Sequence, residues 1–171
     1  MNIVCVSGGS YKAFYLNNFL KLAKCDLLVF NFGVFYNINL KSSQLEENVV
    51  VKELISLSLS LNCVVVAGVF VENKKDNNKA IIAVCGHKIS INKIQKGADI
   101  KVNNCQFVVG DENTNYLNSN KIVLSCNRIK PNIKACAKNK IYIFCDRFGL
   151  YFVYNKKIER KFNKYSKIIL K

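Results

Sequence analysis

The chain has 171 residues, half of them hydrophobic and 22% charged; this length suits one domain, and the composition lies outside the low-hydropathy, high-charge regime of disorder. Lys and Arg number 26 against 11 Asp and Glu, a formal charge of +15. No uncharged apolar run reaches the ~18 residues of a bilayer span, and the apolar stub Met1 to Val6 stops at Ser7-Gly8-Gly9-Ser10; no membrane segment or secretory signal is expected, and the cytoplasm is the expected location.

The basic excess is 23 Lys and only 3 Arg, beside 23 Asn. Phosphate and base-edge recognition favour Arg forks, whereas joint enrichment in Lys, Asn and Ile is what an AT-rich coding sequence produces. Nucleic-acid binding is therefore the less favoured explanation of the charge. Its distribution is uneven: residues 1–100 carry 11 basic and 7 acidic side chains, residues 101–171 carry 15 and 4. An anionic partner would meet the C-terminal part.

Eight cysteines never fall within a CxxC pair, and His87 is the sole histidine. Metal sites draw on paired ligands, so neither a metal nor a cofactor is expected. Reduced thiols packed as small hydrophobes are the expected state.

In chain order, Asn2 to Val6 reads as a buried strand, followed by the Ser7-Gly8-Gly9-Ser10 turn and a helix over Tyr11 to Lys24. That turn lacks the spacing of a phosphate-binding loop. Asp26 to Phe30 is a second buried strand. Ser43-x-x-Glu46 has the form of a capping box, with Glu46 and Glu47 at the positive end of the dipole, opening a helix with Val50, Leu54, Leu57 and Leu61 on one face and an end near Asn62. Cys63 to Val71 and Ala80 to Cys85 form a hairpin pair across a polar connection over Lys74 to Lys79. Gly86-His87-Lys88 turns into Ile89 to Ile94. After a polar stretch containing Gly97 and Asn103-Asn104 come strands at Cys105 to Val109 and Lys121 to Cys126, a short helix opened by Pro131, and β-like runs at Lys140 to Cys145, Leu150 to Tyr154, Lys157 to Phe162 and Ser166 to Leu170. Strand and helix alternate first, then strands dominate, which implies a layered α/β fold in a single domain over residues 1–171.

Eight short strings occur in the order in which they occur in the carbon-nitrogen hydrolase (nitrilase and amidase) superfamily, which the chain resembles. Cys25 to Phe30 (CDLLVF) is similar to "aDLivfPE", Cys63 to Glu72 (CVVVAGVFVE) to "ivvvGsxE", Asn78 to Ile82 to "yNsavvi", Gly86 to Lys93 to "dGkixxxyrK" and Phe107 to Asp111 to "fxxGd". Ala135 to Ile143 is similar to "RAxENxxyv", Asp146 to Gly149 to "NrxG", and Tyr151 to Phe162 to the closing hairpin. The resemblance implies a layered α-β-β-α sandwich, here truncated, with a mixed sheet and helices on the outer face.

It also implies a Glu-Lys-Cys site, in which a Glu base activates a Cys that attacks a nitrile or amide carbon and a Lys stabilises the developing charge. Lys93 matches the Lys. The Glu should follow Phe30 by two positions, where Asn31 and Phe32 stand, and neither accepts a proton. The elbow "GkigvliCyDxrfP" matches Asn120 to Pro131 in two registers: counting forward gives Cys126 as nucleophile, counting back from Pro131 gives Ser125. The expectation is a degenerate, catalytically inactive member with Lys93 and Cys126 as site residues, whose substrate, if it retained activity, would be a small amide or nitrile. The alternative is a basic binding module for nucleic acid or an acidic protein. His87 reads as a turn residue, and Glu46 and Glu47 as capping groups.

Overall fold

A computed structural model describes residues 1–6, 24–38, 48–73, 76–93, 98–110, 122–126, 140–146, 149–154, 157–161 and 165–169. In chain order these form β1 (Asn2–Val6), β2 (Leu27–Ile38), α1 (Val49–Leu61), β3 (Val64–Asn73), β4 (Asp76–Cys85), β5 (Lys88–Lys93), β6 (Ala98–Val102), β7 (Cys105–Gly110), β8 (Ile122–Cys126), β9 (Tyr142–Asp146), β10 (Gly149–Tyr154), β11 (Lys157–Lys161) and β12 (Tyr165–Ile169). The predicted helices over Tyr11 to Lys24 and after Pro131, the Ser7 to Ser10 turn and the Ser43 to Glu47 segment lie largely or wholly outside the described residues.

Two six-stranded sheets result, ordered β12-β1-β2-β3-β4-β5 and β11-β10-β9-β8-β7-β6. β1, β2 and β3 run parallel in the first, and β7, β8 and β9 in the second, with antiparallel strands outside them. Read from β12 through β5 and from β6 through β11, strand directions match position by position. β8 and β9 stack over β2, β10 over β1 and β12, and β6 beside β5.

The central strands are apolar on both faces because both are covered. Ile3, Cys5, Leu27, Val29, Val66 and Ile81 of the first sheet meet Phe107, Val109, Leu124, Cys126, Ile143 and Cys145 of the second. The intervening residues Val4, Leu28, Phe30, Val65, Ile82 and Val84 turn outward and pack with Val51, Leu54 and Leu57 of α1. The period-2 alternation of the strands and the i, i+3, i+6 spacing of these helix residues thus build two layers of core. On the outer face of the second sheet a further buried group includes Val123, Tyr142, Phe144 and Tyr151, with the Tyr142 and Phe144 rings stacked at 5.9 Å.

The helix differs from expectation at its start. Its N-cap is Asn48, in extended backbone (φ −66°, ψ 127°), whose side chain accepts from the Val50 N–H at 3.0 Å; no acidic residue lies in the first turn. A capping residue must sit where the backbone leaves the extended region, which here is five residues after Ser43. The C-terminus falls as expected: Asn62 adopts a left-handed conformation (φ 49°, ψ 49°), and the Asn62 and Cys63 N–H groups donate to the Leu59 and Ser58 carbonyls.

Two strand limits also move, and one further strand is present. β2 continues past Phe30 to Ile38 through register shifts against β3, β4 begins at Asp76 inside the supposed polar connection, and the stretch read as polar contains β6. In β6 Ala98 and Val102 are buried and Ile100 between them is partly buried against the same core, while Asp99 and Lys101 are exposed.

Candidate functional site

Parallel strands end together at one end of the sandwich. The Cys145 thiol near the end of β9 donates to the Val6 carbonyl at the end of β1, at 3.7 Å. Val6 pairs with Phe30, Phe30 with Ala67, and on the second sheet Ser125 pairs with Gly110 and Phe144 while Cys126 pairs with Cys145. This end carries the positions that the sequence singles out.

Cys126 is the last residue of β8, fully buried, and belongs to the core between the sheets. Alternation along β8 places Leu124 and Cys126 on that face and Val123 on the other; Ser125, also fully buried, shares the parity of Val123. Of the two registers, the one naming Cys126 puts its residue between the sheets.

Lys93 is the last residue of β5, paired with Ala80, which in turn pairs with Val69. It therefore stands at the same end of the first sheet as Phe35, the partner of Val69. β5 is three strands from β2, roughly 14 Å at ~4.8 Å per strand, whereas β8 stacks over β2 itself. The backbone brings Lys93 and Cys126 to one end of the fold but to different strands across its width.

Phe32 stands where the resemblance implies a Glu. Phe32 is 3% exposed and sits in the core between the sheets. Its ring lies so close to Gly68 of β3 that a Cβ there would be 2.9 Å from it. Asn31 beside it is fully buried, and Phe30 meets Phe35 edge to face at 5.1 Å. Among the described residues the buried polar or charged side chains are Asn31, Ser58 and Ser125. None of these is a carboxylate. Nor do the described residues gather three or more His, Cys, Asp or Glu side chains in a metal-holding group.

At the opposite end is a cleft of about 360 Å³ that sequence reasoning did not single out; its lining includes Asp26, Ser58, Asn62, Cys63, Cys85, Gly86, Lys101 and Asn103. The Asp26 carboxylate accepts from the Asn2 N–H at 2.6 Å and from Asn103 Nδ2 at 3.3 Å. Ser58 Oγ donates to the Cys63 carbonyl at 2.7 Å and accepts from the Gly86 N–H at 2.8 Å. The Cys63 thiol is pushed well above the ordinary thiol range, first by its hydrogen bond with Cys25, then by burial, then by the negative charges of Cys25, Asp26 and Cys85. The cleft is assembled from a helix end, strand starts and two turns, with no contiguous motif to announce it. His87, in the turn beside it, is exposed.

No protein-family model matches the sequence, and no curated protein matches it. Solved structures do match by shape. A CN-hydrolase superfamily protein from Xanthomonas campestris aligns over 98% of this chain and 89% of its own, with a TM-score of 0.67 and 7% identity. Nit3 of Saccharomyces cerevisiae, a member of branch 10 of the nitrilase superfamily, aligns over 98% and 89% with a TM-score of 0.63 and 10% identity. A glutamine-dependent NAD(+) synthetase from Cytophaga hutchinsonii aligns over 98% of this chain and 42% of its own, with a TM-score of 0.64 and 10% identity. The fold is the nitrilase-type α/β sandwich that the ordered strings implied.

Proposed function

We propose that the protein is a nitrilase-fold pseudoenzyme, in which Lys93 and Cys126 are remnants of a carbon-nitrogen hydrolase site whose base has been lost. The observation carrying this reading is Phe32, a buried aromatic ring packed on Gly68 at the position where the resemblance requires Glu. A thiol of ordinary pKa near ~8.5 is mostly protonated at neutral pH, and an enclosed apolar setting disfavours the thiolate further. With Phe32 in place of a carboxylate, the route by which the family activates its cysteine is not available to Cys126.

In this reading residues 1–171 act as a single domain, in the cytoplasm. Any residual turnover would be attack of the Cys126 thiolate on a small amide or nitrile, with Lys93 facing the negative charge that develops. The test is incubation of the folded protein with a thiol-reactive amide analogue, followed by intact-mass measurement and peptide mapping. The expected result is no selective labelling of Cys126 over the other seven cysteines. Stoichiometric labelling of Cys126 alone, with release of amine or ammonia from the parent amide, would overturn the proposal.

One observation favours a second reading. β11 and β12 are outer strands of the two sheets at the same edge, so the fold gathers Lys157, Arg160, Lys161 and Lys167 on the two strands of that edge with only Glu159 among them. A basic binding edge for an acidic protein or nucleic acid follows. Its binding should weaken steeply between low and physiological salt; salt-independent binding would count against it.

A further inference from the structure

Among the described residues two pairs of cysteines on neighbouring strands stand out, and they differ in how their thiols are directed. Cys126 and Cys145 are paired in register on β8 and β9, but both are fully buried and the Cys145 thiol is engaged with the Val6 carbonyl. Cys25 and Cys63 immediately precede or adjoin the starts of β2 and β3, parallel neighbours whose register sets Leu27 beside Val64. The Val64 N–H donates to the Asp26 carbonyl at 3.1 Å, so the pairing persists at the strand entrances. Both side chains lie in the helix-facing core, and the two thiols are hydrogen bonded to each other.

That geometry is what a disulfide needs. Strand alternation alone would turn two residues offset by one to opposite faces, but Cys25 lies outside β2, before a bend at Asp26, and shares the helix-facing core with Cys63. With strands ~4.8 Å apart the offset puts the Cα atoms roughly 5.8 Å from each other, inside the ~4.4–6.8 Å range that the bridge tolerates. Cys63 lines the cleft, giving a reagent access to one member of the pair. Cys85 also lines it and is exposed, but it pairs with Val64, whose side chain packs on the core between the sheets, and so shares the face opposite to Cys25 and Cys63.

We infer that Cys25 and Cys63 are a modification site, a dithiol that a low-molecular-weight disulfide entering through the cleft converts to an intramolecular disulfide. Cys63 loses its proton and attacks one sulfur of the reagent; the reagent's S–S bond breaks, and its other half leaves as a thiolate that takes up that proton. The Cys25 thiolate then attacks the Cys63 sulfur and expels the second half, which leaves as a thiol with the Cys25 proton. Two protein thiols are oxidised, and one small disulfide is reduced to two small thiols. Because the pair surrenders its first proton reluctantly, exchange is slow at neutral pH and accelerates on the alkaline side. Cys85 is on the wrong face to join the bridge and stops at the mixed disulfide.

The experiment treats the folded full chain with glutathione disulfide between pH 7 and 8.5, blocks remaining thiols under denaturing conditions and maps the peptides. The expected result is a Cys25–Cys63 linkage reversed by dithiothreitol, a mass lower by ~2 Da for that pair, and a formation rate rising about tenfold per pH unit. Cys85 should carry glutathione, while Cys126 and Cys145 should be alkylated. The Cys85→Ser variant should form the linkage unchanged. A Cys126–Cys145 or Cys63–Cys85 linkage, or full alkylation of Cys25 and Cys63 in a sample whose Cys85 has been glutathionylated, would overturn the inference; mapping of the unsubstituted chain decides it without a variant at either buried thiol.

Discussion

The ring of Phe32 lies against Gly68, close enough that a single added carbon at Gly68 would stand 2.9 Å from it. The two residues belong to β2 and β3, so the contact locks adjacent parallel strands at the end where the site positions gather. Glycine here serves close approach rather than an unusual backbone conformation, and the volume it frees is occupied by the ring.

Gly68→Ala should therefore destabilise the fold by about 1–3 kcal/mol, the usual range for overpacking a filled core. Urea denaturation measures it. In a double-mutant cycle Phe32→Leu should recover part of that loss, giving a coupling of at least ~0.5 kcal/mol; additive losses would mean that the ring does not set the limit.

A carboxylic acid placed at position 32 should be held in its neutral form. Phe32→Glu puts an acid where the ring is 3% exposed, and burial raises the pKa of a carboxyl group. A folded-state pKa above the unfolded value of ~4.3 means that the variant is least penalised below that value, and loses stability as pH rises through the folded pKa. Denaturation midpoints at pH 4 and pH 8 should therefore diverge for this variant more than for the unsubstituted chain, in the direction of lower stability at pH 8.

Ser58 offers a second stability test, remote from the first. Its hydroxyl joins the end of α1 to the start of β3 and to the β4–β5 turn. Ser58→Ala leaves the Gly86 N–H and the Cys63 carbonyl without that partner, and should cost about 1–3 kcal/mol. Hydrogen exchange at the Gly86 amide should quicken with it.

Asn62 should show the opposite pattern. With φ at 49°, Asn62→Ala should cost about 1 kcal/mol, whereas Asn62→Gly should be close to neutral, because only glycine adopts the left-handed region without penalty. Thermal denaturation of the two variants should rank them in that order.

The raised Cys63 pKa carries a pH dependence of its own. A group whose folded pKa exceeds its unfolded pKa contributes its full stability below the unfolded value, ~8.5 for a thiol, and loses it progressively above. Stability of the reduced protein should fall between pH 8 and pH 10, and Cys63→Ala should flatten that slope. Urea midpoints across this interval check the sign.

Strand positions were readable in the sequence where both faces are buried, because runs such as CVVVAGVFV and KIVLSC leave little else for the chain to do. β6 was not, since an alternation of only Ala98, Ile100 and Val102 among Asp99, Lys101 and two asparagines looks polar when averaged. The helix start at Asn48 was displaced by a stronger-looking Ser43-x-x-Glu46 string; capping depends on where the backbone turns, which side-chain spacing alone does not fix. At the site, the absence of Glu was plain from Asn31 and Phe32, but the packing of Phe32 on Gly68 depends on strands joined only through the sheet. The thiol pair of Cys25 and Cys63 was invisible for the same reason: 38 positions apart in sequence, they become neighbours only through the parallel register of β2 and β3.

One consequence of the strand order concerns the sequence of events during synthesis. β12, residues 165–169, forms the outer strand of the first sheet beside β1, residues 2–6. The first sheet therefore stays open at that edge until residues 165–169 have left the ribosome, with β1 presenting an unsatisfied rim until then. A polypeptide that stops between β11 and β12 would have every described strand of its second sheet and an unclosed first one, so termination in that interval should produce aggregation rather than a slightly smaller folded protein.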